Sequence, residues 1–178
     1  MPEGIELPEV EEHDKHPLTI PVSVTISILA VLGAVVTLLG HRSHTEELLF
    51  QAKATDQWAY YQAKDIRLHE MEAVADMLGL LAPSDKEKTA AAHEKYLKEA
   101  ERYRKDKENI SEKAKELEAE RDLATHRADR FDAGEVFLEM GLVICSITML
   151  TKKSFFWFSG IAIGAVGVVL AATAFLLH

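Results

Sequence analysis

Apolar and charged residues are segregated along this chain. No charged residue occurs from Leu18 to Gly40 or from Ser154 to Leu177, and each stretch meets the roughly 20 residues that a helix needs to cross a hydrocarbon core. A third apolar stretch, 134–151, is interrupted by Glu135 and Glu139. It reads either as an interfacial or reentrant helix or as a crossing, and we favour the crossing. Between the first and second stretches, residues 41–133 are rich in Glu, Lys, Arg and Ala, the composition of a long exposed helix or coiled coil. Their only proline is Pro83. It pushes Ala82 out of helical geometry, and Ser84 with Glu87 forms a capping box, so the spacing predicts one turn at 82–85. The arms on either side are of similar length, about 60 Å each at 1.5 Å per residue, as an antiparallel helical hairpin requires. A hairpin folded there brings Gly134 back to the surface that the chain left at Gly40.

The second arm has the clearest periodicity. Tyr96, Tyr103, Ile110, Leu117, Ala124, Phe131, Leu138 and Cys145 recur every seven residues, with His93, Ala100, Lys107, Ala114, Arg121, Ala128, Glu135, Leu142 and Met149 as the companion row. For the first arm the expected row is Leu48, Ala52, Thr55, Ala59, Gln62, Ile66, His69, Ala73 and Leu80. In the first span Ser23, Ser27, Ala30, Ala34 and Thr37 form a small, weakly polar face suited to close helix contact, opposite an Ile, Leu and Val face. In the third span Gly160, Gly164, Gly167, Ala171 and Ala174 form another, after an aromatic belt at Phe155, Phe156, Trp157 and Phe158. The pattern therefore predicts an all-α membrane protein with three transmembrane helices (18–40, 134–151 and 154–177) and a long antiparallel hairpin, a coiled coil, outside the bilayer. An acidic tail, 1–17, is expected to be disordered because it has too few large apolar residues to bury.

Composition narrows the picture. The net charge of −9 and the interleaving of Lys and Arg with acids argue against a nucleic-acid surface. The lone Cys145 excludes an intrachain disulfide. The first apolar run is too long, and its preceding tail too acidic, for a cleaved secretion signal. Orientation cues conflict: Lys152 and Lys153 argue that their side is cytoplasmic, whereas the acidic tail on that same side argues for export, and Arg42, Arg121, Arg127 and Arg130 flank the membrane on the hairpin side. We read the hairpin as cytoplasmic. No phosphate loop, HExxH, nucleophile elbow or paired-cysteine motif is present, so neither an enzyme nor a cofactor is expected.

Three sets of residues are candidates for function. Asp132 and Glu139 share a heptad face with Ser146, and Glu135 falls on the seam. Carboxylates at membrane depth are costly and usually meet a partner or line a pathway, so these four could form a cation pathway in an assembly. The alternative is pairing with Arg130, or hydrogen bonds to Ser23 or Ser27. His41 and His44, one helical turn apart, fall opposite His126 when the arms are paired about Pro83, a set with metal-ligand chemistry. Histidines at such a boundary more often cap helices or meet lipid phosphates. Trp58, Tyr60 and Tyr61 cover more than one helix face, so a two-helix hairpin cannot bury them all. With Gly160, Gly164 and Gly167 they are the candidate contacts to a second copy.

The run Thr55-Asp56-Gln57-Trp58-Ala59-Tyr60-Tyr61-Gln62-Ala63-Lys64 resembles the signature of an uncharacterised family of bacterial membrane proteins, domain of unknown function 4337, and departs from it at Asp65. The order of spans and charged helices is similar along most of the chain. The resemblance implies a multi-pass protein of the bacterial inner membrane and carries no catalytic residues. The expected role is a homo-oligomeric membrane scaffold or interaction protein whose surroundings are the lipid bilayer; the alternative is an oligomeric cation channel.

Overall fold

The structure is a computed structural model that describes residues 17–80 and 86–177. The expected acidic tail (apart from Pro17) and the turn at 82–85 lie outside the described residues. Among the described residues the chain is all-helical: α1 (Thr19–Leu80), α2 (Lys86–Thr151) and α3 (Ser154–Thr173), with a 3-10 turn at Ala174–Leu176. Each of the three helices contains a stretch long and apolar enough to cross a membrane. Pro21 sits in the first turn of α1, where its missing N–H has no helical partner to lose. α1 continues through Gly40 without a break, since one glycine costs a helix only about 1 kcal/mol. α2 and α3 are joined by a tight turn in which Lys152 adopts a left-handed φ of 56°.

By contacts the chain divides into two units, each described by itself. The first comprises residues 1–41 and 127–178. Its core is Leu29, Val36, Phe131, Leu138, Cys145, Ala171 and Ala174, with Ile26, Leu39, Leu142 and Trp157 packed against it. The glycines of α2 and α3 set its geometry. A Cβ on Gly141 would lie 2.7 Å from Gly160 O, and one on Gly167 would lie 2.6 Å from Gly134 O. Both are closer than a methyl group can approach an oxygen, so α2 and α3 pack backbone to backbone in the manner small residues permit between membrane helices. The candidate contact residues Gly160, Gly164 and Gly167 are therefore buried inside their own chain. This corrects the expectation that they face a second copy: Gly160 and Gly167 meet Gly141 and Gly134 of α2, and Gly164 meets Leu29 of α1.

In α1 the inward face of this unit is aliphatic. Val22, Leu29 and Val36, spaced by heptads, are buried. Ser23 and Thr37 are half-buried, and Ser27, Ala30 and Ala34 are exposed. The aliphatic side fills the irregular space beside α2 and α3, where Leu29 rests against Gly164, and the middle of the small-residue face is left outward.

The second unit comprises residues 42–126. Here α1 and α2 run antiparallel: Gln51 meets Arg121, Asp65 meets Lys107, and Gly79 lies beside His93. Two heptads along one helix match two heptads along the other, so the register does not drift. Ala54, Leu68 and Ala75 of α1 and Ala100, Ile110, Ala114 and Ala124 of α2 are buried. The α2 row follows the expected heptad. The α1 row does not: every residue of the expected row, from Leu48 to Leu80, is exposed. The seam lies on the other side of α1, where alanines let the backbones approach and where Gln57, Lys64 and Asp65 carry polar ends.

Candidate functional site

The acids of α2 point in two directions. Glu135 turns inward, accepting a hydrogen bond from Thr37 Oγ1 at 2.7 Å. This is the kind of cross-helix partner a carboxylate needs in apolar surroundings, although it is Thr37 and not Ser23 or Ser27 that supplies it. Those two serines donate to carbonyls of their own helix, Thr19 O and Ser23 O. Asp132, Glu139 and Ser146 fall on one outward face, a heptad apart. Ser146 donates to Val143 O at 2.6 Å, and Asp132 Oδ1 lies near Gly40, where a Cβ would stand 3.3 Å away. Glu139 has no hydrogen-bond or ion-pair partner among the described residues, and its exposed neighbours Val136, Met140 and Val143 are apolar. The structure thus separates Glu135 from the other three candidate pathway residues.

The aromatic cluster is largely engaged within the second unit. Trp58 Nε1 donates to Glu118 Oε1 at 2.9 Å, and the Trp58 and Tyr61 rings meet edge to face at 5.5 Å between centroids. Around them two ion pairs cross the seam with reversed polarity. Lys64 of α1 meets Asp106 of α2 at 2.9 Å, and Asp65 of α1 meets Lys107 of α2. Each ammonium also stands over aromatic rings, Lys64 over Tyr60 and Tyr103 and Lys107 over Tyr61. The hydrogen bond from Lys107 holds the Asp65 carboxyl below its ordinary range. The carboxylates of Asp106 and Asp65 hold the Lys64 and Lys107 ammonium groups above theirs. Because the polarity reverses between adjacent residues, a slip by one residue would bring like charges together. Tyr60 alone of the three aromatics remains exposed, at 50%.

The histidine set does not form a metal site. Among the described residues no three His, Cys, Asp or Glu side chains gather as an ion would require. His44 Nδ1 instead lies 3.3 Å from Glu47 on its own helix. His41 and His126 are exposed.

Two contacts that hold the ends of α3 were not read from the sequence. Arg127 donates two hydrogen bonds to Leu177 O, at 2.8 and 3.3 Å, placing a cation on a free carbonyl just beyond the 3-10 turn. Phe131 meets Phe175 edge to face beside it. At the other end of α3, Trp157 Nε1 donates to Thr25 Oγ1 at 3.0 Å. Arg127 was visible in the sequence only as one basic residue among many, and the signal that could have found it is its placement one heptad before Gly134.

No curated protein and no solved structure matches the chain. The model of a family described as a domain of unknown function (DUF4337) matches residues 18–177. That match takes in all three helices and both units, so the chain belongs to the DUF4337 family.

Proposed function

We propose that this protein is a membrane-anchored homo-oligomeric scaffold or interaction protein without catalytic chemistry. Its three apolar stretches cross the bilayer, and its second unit forms an antiparallel coiled-coil hairpin outside it. The observation that carries the oligomer is Glu139. A carboxylate exposed among Val136, Met140 and Val143 would be costly against lipid by several kcal/mol. Its short side chain cannot reach the interface as Lys and Arg do, so a protein neighbour relieves it. Support comes from the outward small residues Ser27, Ala30 and Ala34 of α1, which suit close packing of helices, and from exposed Tyr60 in the hairpin. Mass measurement of the detergent-purified chain tests this reading. The expected species is a defined oligomer that Glu139→Lys disrupts; a chain that stays monomeric at every concentration would refute it.

A second reading has its own observation. Asp132, Glu139 and Ser146 lie in line on the outward face of α2, so an assembly with that face innermost would stack two carboxylate rings and a hydroxyl ring along an axis, an arrangement that attracts cations. Cation flux into liposomes that Asp132→Asn with Glu139→Gln abolishes is the expected result of this reading. Absent or unchanged flux would remove it.

A further inference from the structure

The α1 start and the α2 end enclose a small site with one unmet need. Thr148 is 1% exposed, and its Oγ1 is the one buried side-chain oxygen or nitrogen among the described residues with no hydrogen-bond partner. Threonines in helices ordinarily turn the hydroxyl back onto a carbonyl of the preceding turn. Thr25, Thr125, Thr151 and Thr173 do so here. Thr148 does not, and leaving a buried hydroxyl unpaired costs on the order of 1–3 kcal/mol. It lines a cavity of about 20 Å³ together with Leu18, Thr19, Val22, Met149 and Lys152. That volume holds a single water-sized atom.

The surroundings say what that atom is. No carboxylate lines the cavity. Thr19 begins α1; Pro21 has no N–H and Val22 N–H already donates to Leu18 O at 3.1 Å, so the helix start offers the N–H groups of Thr19 and Ile20 and its partial positive charge. Lys152 is exposed and has no acidic partner among the described residues, and it is held in a left-handed conformation with φ 56°, which disfavours any side chain other than glycine. Lys153 follows it, also exposed. A hydroxyl donor, a helix start and an ammonium around a hole the size of one oxygen form a receptor for an anionic oxygen.

We propose that this site binds a phosphate group. One phosphate oxygen enters the cavity to accept from Thr148 Oγ1, and the remaining charge is met at the mouth by Lys152 and the N–H of Thr19. The site rests on the membrane placement proposed above only for the source of the phosphate, which is then an anionic lipid headgroup; otherwise it is free phosphate. Nothing in it depends on assembly.

The test uses the full chain in an uncharged detergent, with retained ligand read by native mass spectrometry per chain, so that oligomer failure and site failure are separate results. The probes are short-chain phosphatidylglycerol, diacylglycerol and inorganic phosphate. The expected result is retention of phosphatidylglycerol over diacylglycerol, weakened about tenfold by Thr148→Val and by Lys152→Gln, the loss expected for one hydrogen bond to a charged group, with Thr148→Ser binding normally. Thr148→Val is nearly isosteric and removes the orphan hydroxyl, so it folds. Inorganic phosphate binding with the same sensitivities would support the site and assign it to free phosphate. Equal retention of diacylglycerol, no retention of either phosphate probe, or indifference to both Thr148→Val and Lys152→Gln would overturn it.

Discussion

The two units use the same heptad row of α2 to different ends. In the first unit Phe131, Leu138 and Cys145 are 4%, 1% and 0% exposed; in the second, Tyr96, Tyr103 and Leu117 on the same row are only half-buried. The first unit packs three helices, and the third closes over the seam. The second has two, and a pair of helices always leaves the flanks of its seam open. The means of cohesion differ accordingly. The first unit relies on glycine contacts that bring backbones together, the close packing that small residues permit. The second relies on a narrow alanine seam edged by Lys64, Asp65, Asp106 and Lys107, whose reversed pairs fix register.

If that contrast is right, the largest effect comes from the glycine contacts. A Cβ on Gly160 would stand 2.5 Å from Cys145 Sγ and 2.8 Å from Gly141 O, with no flexible group to yield. Gly160→Leu is expected to destabilise the first unit by about 3 kcal/mol or more, read as thermal unfolding in detergent, while hydrogen exchange in residues 86–126 stays unchanged. Ala114→Leu, at a fully buried seam position, should act on the second unit instead. It is expected to cost about 1–3 kcal/mol and to raise exchange there alone. Thr37→Val removes the partner of Glu135 and should cost the first unit about 1–2 kcal/mol, with Thr37→Ser restoring it. A smaller effect is expected at the exposed ion pairs. Asp65→Lys should loosen the second unit, and adding Lys107→Asp should recover it.

The same ion pairs predict a pH window. The Asp65 carboxyl is depressed, so its contribution is present above the ordinary carboxylate range and is lost as pH falls through the lowered folded value. The Lys64 and Lys107 groups are raised, so theirs is present below the ordinary lysine range and is lost as pH rises through the raised values. Protection against exchange in the second unit, taken relative to the intrinsic exchange rate at each pH, should therefore be highest between about pH 5 and pH 9. A profile flat to both extremes would mean that the pairs do not hold the register.

Much of the fold was legible in the sequence. The α2 row from Tyr96 to Cys145 could be read because its large apolar residues coincide with the seam along its whole length. The expected α1 row was misplaced because in that arm the large aliphatics Leu48, Leu49 and Ile66 point outward. The seam on the other side is lined by Ala54, Leu68 and Ala75 and by the stems of Lys64 and Asp65, fewer large aliphatics than point outward, so hydrophobic periodicity favours the wrong face. Asp65 gains a role only once Lys107 stands opposite. The glycine face of α3 was readable as a packing face but its partner was not, since Gly134 and Gly141 matter only after α2 and α3 are folded against each other. For the candidate site, periodicity grouped Asp132, Glu139 and Ser146. Only geometry separated Glu135 from them.

The outward face of α2 as the surface where copies meet is the central functional claim, and intermolecular cysteine cross-linking in membranes tests it most directly. With the buried Cys145 replaced by alanine, single cysteines at Val136 and Val143, which flank Glu139 outward, should form disulfide-linked dimers, whereas one at inward Leu138 should not. Cross-linking absent at both outward positions, or equally strong at Leu138, would contradict it.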